Sequence, residues 1–204
     1  AEANQVLSLY YIITGELEEG LAAIERAREV DPLSMINNRT RADIYYLKED
    51  YSMAIEIYDW LLEQDPDFIA ARDFKAWSYL MNGEVDLAIQ IFESLLKEEV
   101  AHSIKPYAPL GYAHAIKGDI DKANYFLDQL EGDTNTSQVD HLSFATIYAG
   151  LGEIEKALDH LDKVVDLKLG AVLLIHVSPI WKPLRNAPRF KEILNRVGLK
   201  PVGY

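Results

Sequence analysis

One unit recurs along this chain at an interval of 34 residues. The stretch GEVDLAIQIFESLLKEEV at 83–100 aligns with EDYSMAIEIYDWLLEQDP at 49–66 and with GELEEGLAAIERAREVDP at 15–32. Downstream the spacing lengthens once by a single residue, to GDIDKANYFLDQL from Gly118, and then returns to 34 at Gly152. A fixed period of this length indicates a repeat architecture, in which each unit buries its apolar face against its neighbours. Five copies account for most of the 204 residues.

Each unit has the pattern of two helices joined by a short turn. Apolar residues recur at three- and four-residue spacing, which is typical of amphipathic helices. Four of the five turns carry glycine where a left-handed residue ends the first helix, but Glu49 interrupts this column, so the second turn should be strained or differently capped. We expect first helices at about 2–14, 35–48, 68–81, 103–117 and 139–149, and partner helices at about 17–29, 51–63, 85–98, 120–130 and 154–166.

Two columns of small residues face two columns of large ones. Small side chains opposite large ones let antiparallel helices approach closely and interdigitate. The small columns are Ser8, Ala42, Ala76, Gly111, Ala145 at position eight and Gly20, Ala54, Ala88, Ala123, Ala157 at position twenty. The large columns are Tyr11, Tyr45, Tyr79, His114, Tyr148 at position eleven and Ile24, Tyr58, Phe92, Leu127, Leu161 at position twenty-four.

The period and these columns resemble the tetratricopeptide repeat over residues 1–169. The resemblance implies an all-α fold, an α-α superhelix (solenoid) of about five helix pairs. The repeats would span 1–34, 35–68, 69–103, 104–137 and 138–169, with a polar loop at 132–137. Since the chain begins at Ala1, already inside the first repeat, we expect it to be a fragment of a longer protein.

Residues 170–204 differ from the repeats and are predicted to form a short helical C-terminal capping segment, because a repeat array needs a cover for its last face. This segment should be anchored by the large apolar side chains of Trp181, Leu184 and Phe190. A last helix should begin at Pro188 and end at Gly198. The string WKPLRNAPRF also resembles tails of bacterial multidomain signalling proteins, among them winged-helix transcription regulators and nucleotide cyclases.

Composition narrows the classes of partner and of site. A net charge of -13, with no run of Lys or Arg, argues against binding nucleic acid or an anionic membrane and favours basic or apolar partners. The absence of cysteine excludes disulfides and thiolate metal sites. No apolar run is long enough to span a membrane. We expect a cytoplasmic location, with the periplasm as the alternative.

No arrangement of residues points to catalysis. The five histidines lack the spacing of a helical metal site, and no serine lies in a strand-to-helix elbow. His114 stands in the tyrosine column, where a core residue is expected. We therefore predict no catalytic residues, no metal and no cofactor, and an enzyme is the least expected class.

The inner wall is the candidate binding surface. In proteins resembling this one, positions two, five, nine, twelve and thirteen of the first helices line a concave groove. Only Arg39 and Lys105 are basic among these positions, so a clamp for a peptide carboxylate is not expected. For Trp77 and Tyr112, partner binding, packing between adjacent helices and dimer contact all stay open. The predicted partner-binding groove comprises Leu9, Ile12, Arg39, Asp43, Tyr46, Asp73, Trp77, Leu80, Lys105 and Tyr112.

The leading hypothesis is a non-catalytic protein interaction module that binds a peptide or helix in this groove. One alternative is a regulatory or sensory segment of a larger bacterial signalling or transcription regulator, acting by intramolecular docking. Another is self-association into a homodimer.

Overall fold

The computed structural model describes residues 2–98, 105–132 and 140–200, and this part of the chain is helical without any strand. The predicted all-α class is confirmed. The helices are α1 Glu2–Thr14, α2 Leu17–Val30, α3 Met35–Leu47, α4 Tyr51–Gln64, α5 Ile69–Met81, α6 Val85–Lys97, α7 Tyr107–Lys117, α8 Ile120–Gly132, α9 His141–Gly150, α10 Ile154–Asp166 and α11 Pro188–Arg196, with 3-10 helices at Gly170–Leu174 and Pro179–Leu184 between the last two.

Most helix boundaries agree with the periodicity to within one or two residues. The helix start expected at 139, and nearly all of the polar loop at 132–137, lie outside the described residues. The helix expected from 103 was placed too early, because Lys105 and Pro106 are not helical and α7 begins at Tyr107. Local chemistry explains several starts: the side chains of Ser34, Asp50 and Asp140 accept a hydrogen bond from the backbone N–H three residues on. Such caps satisfy donors that the first turn of a helix leaves without a partner.

The turns inside the units follow the glycine column. Gly15, Gly83, Gly118 and Gly152 have φ between 72° and 89°, the left-handed region that favours glycine. Glu49 has φ of 62° at the equivalent position, so the predicted irregularity of the second turn is confirmed as a left-handed non-glycine residue.

The helices form two compact units, 1–88 and 89–204. In the first, α1 packs on α2, α2 on α3, α3 on α4 and α4 on α5. Its small columns are buried as expected: Ser8, Ala42, Ala54 and Ala76 are all 0% exposed. The Ser8 hydroxyl donates to the Gly20 carbonyl oxygen at 2.9 Å, which ties the two columns together.

In the second unit, α7 packs on both α8 and α9, and α9 packs on α10. Gly111 shows how close the approach is, because a Cβ added there would lie 2.5 Å from Ile147 Cδ1. His114 is 3% exposed and stacks on Phe126 with ring centroids 5.9 Å apart. The expectation that His114 is a core residue is confirmed.

The segment after α10 folds back onto the last repeat. The 3-10 helix Pro179–Leu184 contacts α9 and α10, and α11 packs along α10. Trp181, Leu184 and Phe190, which the sequence singled out, are at most 4% exposed. Gly198, where the last helix was expected to stop, has φ of 76° and follows α11 by two residues.

Candidate functional site: the inner wall

The structure divides the predicted wall residues into a buried set and a reachable set. Leu9 is 45% exposed, Lys105 is exposed, and Arg39, Asp43 and Asp73 are half-buried. The apolar and aromatic members are buried, with exposed fractions of 8% or less. They are Ile12, Tyr46, Trp77, Leu80 and Tyr112.

The centre of the wall in the first unit is an ion pair with a tyrosine behind it. Arg39 and Asp43 lie one turn apart on α3, and Arg39 Nε is 3.1 Å from Asp43 Oδ2. The Tyr58 hydroxyl, from α4, donates to Asp43 Oδ1 at 2.6 Å. Burial raises the pKa of Asp43, an effect that Arg39 and the hydrogen bond from Tyr58 oppose. Burial and the neighbouring carboxylate raise the pKa of Tyr58, so its hydroxyl remains a donor.

An aromatic cluster backs this ion pair. Phe74 of α5 lies 6.0 Å from Tyr46, edge to face, and 6.4 Å from Tyr58, nearly stacked. The guanidinium carbon of Arg39 sits 5.6 Å from the centre of the Phe74 ring. A cation over an aromatic face is attracted by the ring quadrupole, so these contacts hold Arg39 in a defined position.

Asp73 is the second acidic group of the wall in this unit. It lies one turn before Trp77 on α5, so the carboxyl and the indole share one helix face. Burial raises the pKa of Asp73 to about 6, and no neighbouring cation lowers it. Among the described residues none forms an ion pair with Asp73. A half-buried carboxylate of this kind is stabilised by any cation that reaches it.

The wall of the second unit carries Lys105 and Tyr112. The Lys105 ammonium lies 5.5 Å from the centre of the Tyr107 ring. Tyr112 is 4% exposed and lies against α9, because a Cβ added at Gly150 would stand 2.9 Å from Tyr112 Cδ2. Burial raises the pKa of Tyr112 to about 12. Much of the Tyr112 ring therefore packs between α7 and α9.

Two features of the structure were missing from the sequence analysis. The first is the hydrogen bond of Tyr58, which the sequence analysis assigned only to a column of large packing residues. A buried tyrosine hydroxyl needs a hydrogen-bond partner, so the residue type itself could have predicted a nearby acceptor. The second is a pair of histidines, His141 on α9 and His160 on α10, whose Nδ1 atoms are 3.1 Å apart. Their spacing of 19 residues carries no helical signature, so only the packing of the two helices brings them together.

The described residues contain no group of three or more His, Cys, Asp or Glu side chains that could hold a metal ion. No helix in the described ranges is long and apolar enough to cross a membrane. The predicted wall residues of the first unit and their neighbours thus provide an ion pair, a carboxylate without a cation beside it, and a buried aromatic cluster.

Comparison with known proteins identifies the repeat and the fold. Residues 75–99 match the family model of the tetratricopeptide repeat. A solved tetratricopeptide repeat protein from Parabacteroides merdae ATCC 43184 superimposes with a TM-score of 0.64 and 18% sequence identity, over 95% of this chain and 77% of that one. No curated protein matches the sequence. The resemblance of the tail to bacterial signalling proteins finds no support in these matches.

Proposed function

We propose that this tetratricopeptide-like array of helix pairs is a protein-interaction module that seats a peptide or helix of another protein along its inner wall. Arrays of this fold typically act as scaffolds for protein partners rather than as catalysts, and the match at 75–99 and the shared fold support that class.

The proposal rests on a difference in exposure along the predicted wall: its aromatic side chains are buried, and its polar side chains keep part of their surface in solvent. Tyr46 and Trp77 belong to the buried aromatic set. The half-buried polar residues are Arg39, Asp43 and Asp73. Because Phe74 and Tyr58 already hold Arg39 and Asp43 in place, a partner would lose little side-chain entropy in binding them. Rigid polar groups of this kind give an interface its specificity.

Charge indicates the kind of segment that fits. The chain carries a net charge of -13, and Asp73 has a raised pKa with no cation next to it. A lysine or arginine of the partner would favour the ionised form of Asp73 and gain a charge-assisted hydrogen bond. The segment bound at this wall is therefore basic, with apolar residues beside the charge, and its affinity should fall as salt rises.

The test begins with proteins captured from a lysate by the wild-type chain, whose affinity is then measured by calorimetry with each variant. We expect Asp73→Asn to weaken binding of the captured partner by about tenfold, roughly the loss of one charge-assisted hydrogen bond. Glu63→Gln is the matched control, because Glu63 is exposed on α4 and the change removes the same charge. Trp77→Ala would be less informative, since removing a buried indole also tests folding.

Wild-type affinity in both Asp73→Asn and Glu63→Gln would place the partner elsewhere on the chain and remove this assignment of the wall. Binding that is lost equally in both variants would show that total charge, rather than this carboxylate, governs association. A regulatory or sensory role inside a larger signalling protein, and a cytoplasmic location, remain predictions of the sequence alone.

A further inference from the structure

The first unit contains a cleft that lies outside the predicted wall. It encloses about 350 Å³, at the low end of the range for pockets that hold small ligands. Its lining comes from the end of α2, the turn that follows, α3 and α4, and includes none of the predicted wall residues. We call it the α2–α4 cleft. Its lining includes the polar residues Arg28, Asn38 and Arg41 and the apolar residues Leu33, Ile57 and Trp60.

Two arginines of the cleft share a single carboxylate. Arg28 Nη1 lies 2.6 Å from Glu25 Oε2, and Arg41 Nε lies 2.5 Å from Glu25 Oε1. Two cations beside one anion leave a surplus of one positive charge, and all three side chains are partly exposed. Most of the surface of a chain with a net charge of -13 repels anions, but this surplus attracts them.

The repeat register separates the scaffold contact from the additional charge. Position twenty-five is acidic in all five units, as Glu25, Asp59, Glu93, Asp128 and Asp162. Asp59 binds Lys75, which occupies the position of Arg41, so this ion pair recurs in the next unit. Arg28 has no basic counterpart, because position twenty-eight of the other units holds Leu62, Leu96, Glu131 and Val165. The second cation is therefore not needed to build the repeat.

The structure holds both guanidinium groups in place and leaves part of each available. Arg28 Nε donates to Asn38 Oδ1 at 2.9 Å, and Asn38, which is 3% exposed, donates to two backbone carbonyl oxygens of the preceding turn. The Tyr45 ring centre lies 5.2 Å from the guanidinium carbon of Arg41. No described residue accepts a hydrogen bond from Arg28 Nη2 or from either Nη atom of Arg41. A carboxylate is the natural acceptor for these N–H groups, because it matches the planar fork of a guanidinium.

The rest of the cleft is largely apolar. Trp60 of α4 is half-buried, and Ile57, one turn before it, is 5% exposed. Leu33 borders the cleft and is 72% exposed. Tryptophan stands at position twenty-six in the second unit alone, since the other units hold Arg26, Ser94, Gln129 and Lys163. A ligand that covers Leu33 and packs on the Trp60 ring gains apolar contact in addition to the ion pair.

From this combination we propose that the α2–α4 cleft binds a carboxylate side chain next to an aromatic residue, in an acidic segment of a partner protein. The two arginines bind the carboxylate, and Trp60 and Leu33 contact the aromatic ring. The cleft differs from the inner-wall site in the sign of the charge it favours, because Asp73 favours a basic group. The cleft would bind its ligand whether or not the inner wall binds one.

One acidic residue of the cleft opposes this binding. Glu56 lines it from α4 and is exposed, so solvent screens its charge without removing the repulsion of an anion. Glu56 forms no ion pair with any residue that the structure describes. Removing its charge should therefore strengthen the binding of a carboxylate, whereas removing the charge of Arg28 should weaken it.

Titration of the isotopically labelled chain with N-acetyl-Glu-Phe-amide, followed by nuclear magnetic resonance, tests the proposal. The chain has three tryptophans, of which Trp77 and Trp181 are at most 8% exposed and do not line the cleft. The indole N–H signal of Trp60, identified by its loss in Trp60→Phe, should shift saturably with a dissociation constant on the order of 1 mM. N-acetyl-Gln-Phe-amide, the matched uncharged ligand, should bind about tenfold more weakly.

Paired variants test whether the peptide lies in the cleft. Arg28→Gln should weaken binding by roughly fivefold or more. Arg26→Gln is its control, because Arg26 is exposed on α2, outside the cleft, and loses the same charge. Glu56→Gln should strengthen binding by about two- to threefold, and Glu63→Gln on the same helix should not. Circular dichroism would verify each fold, and the exposed Glu56 keeps the test valid if Arg28→Gln unfolds the chain.

Three results would each overturn the proposal: an unmoved Trp60 signal at the highest peptide concentration, equal affinity of the two peptides, or equal effects of the two variants within a pair. Asp73→Asn leaves the cleft intact, and Arg28→Gln leaves Asp73 intact. Failure of this site is therefore distinguishable from failure of the inner-wall site.

Discussion

Glu49 adopts a backbone conformation that the corresponding turns of the other repeats assign to glycine. Its φ of 62° falls in the left-handed region, where a Cβ crowds the following carbonyl and costs about 1 to 2 kcal/mol. The helices on both sides, α3 and α4, are nevertheless well formed, because their packing in the repeat outweighs one strained residue.

We predict that Glu49→Gly raises the free energy of unfolding by roughly 0.5 to 1 kcal/mol. The substitution relieves the backbone strain, and part of that gain is offset because glycine loses more chain entropy on folding. Urea denaturation would measure it. Gly83→Ala is the opposite change. Gly83 has φ of +89°, and a Cβ there would meet nothing within 4 Å, so the substitution adds backbone strain without a steric clash. The free energy of unfolding should therefore fall by about 1 kcal/mol. Two variants that shift stability in the same direction would contradict this explanation.

At the scale of elements, α9 and α10 are joined by a hydrogen bond between two imidazoles. His141 and His160 have Nδ1 atoms 3.1 Å apart, and the His160 ring stacks on Phe144 at 5.0 Å. One imidazole donates and the other accepts, so the contact requires at least one neutral ring. Burial, with His141 and Lys163 nearby, lowers the pKa of His160 to about 4, and burial with Lys163 lowers the pKa of His141. Asp159 and Asp140 oppose these shifts only in part.

This pair should make the fold sensitive to mild acid. Because the folded-state pKa of His160 lies below its usual value of 6.5, the unfolded chain binds protons first, and stability is lost as the pH falls from about 6.5 toward 4. Thermal denaturation between pH 7.5 and 5 should show this loss, and His160→Phe, which keeps an aromatic ring on Phe144, should reduce it.

Two half-buried carboxyls, Asp43 and Asp73, act in the opposite direction, because burial raises the pKa of each. Asp73 has a pKa raised to about 6 in the folded state, so its protonation below that pH favours the folded chain. Comparing His160→Phe with its parent in an Asp73→Asn background isolates the histidine contribution. Parallel stability profiles for the two proteins across this pH range would rule out the imidazole pair as their cause.

At the scale of the whole molecule, the segment that follows α10 covers the last repeat. Apolar residues and charges both contribute to that cover: Phe190, Ile193 and Leu194 are at most 1% exposed, and Arg189 and Arg196 bind the acidic side of α10.

Salt should separate these two contributions. Phe190→Ala is expected to cost about 3 to 5 kcal/mol, the range for deleting a buried aromatic side chain, with little dependence on salt. Arg189→Ala should cost about 1 kcal/mol or less, because exposed ion pairs are weak, and the loss should shrink in high salt. Denaturation midpoints at low and high ionic strength would measure both. A larger effect for Arg189→Ala would mean that ion pairs, rather than the buried residues, hold the tail.

The sequence alone predicted the elements of this fold with good accuracy. The period, the small columns and the turn glycines are local signals, repeated several times, so each copy reinforces the others. They located helix boundaries to within a few residues wherever the structure describes them, and they identified Glu49 as the irregular turn and His114 as a core residue. Burial of Ser8 and Ala42 follows from the same spacing, because a helix presents every third or fourth residue to its neighbour.

Only the tertiary structure decided which of the candidate wall residues are buried and which are exposed. Position in the repeat assigned Trp77 and Asp73 to the same wall, but the indole is buried and the carboxyl is half-exposed, because burial depends on every helix packed around a residue. The hydrogen bond from Tyr58 to Asp43 and the contact of His141 with His160 likewise arise between elements. Sequence periodicity describes each helix against its own axis; contacts between helices depend on how those axes are placed, and that placement is set by the packing of the whole array.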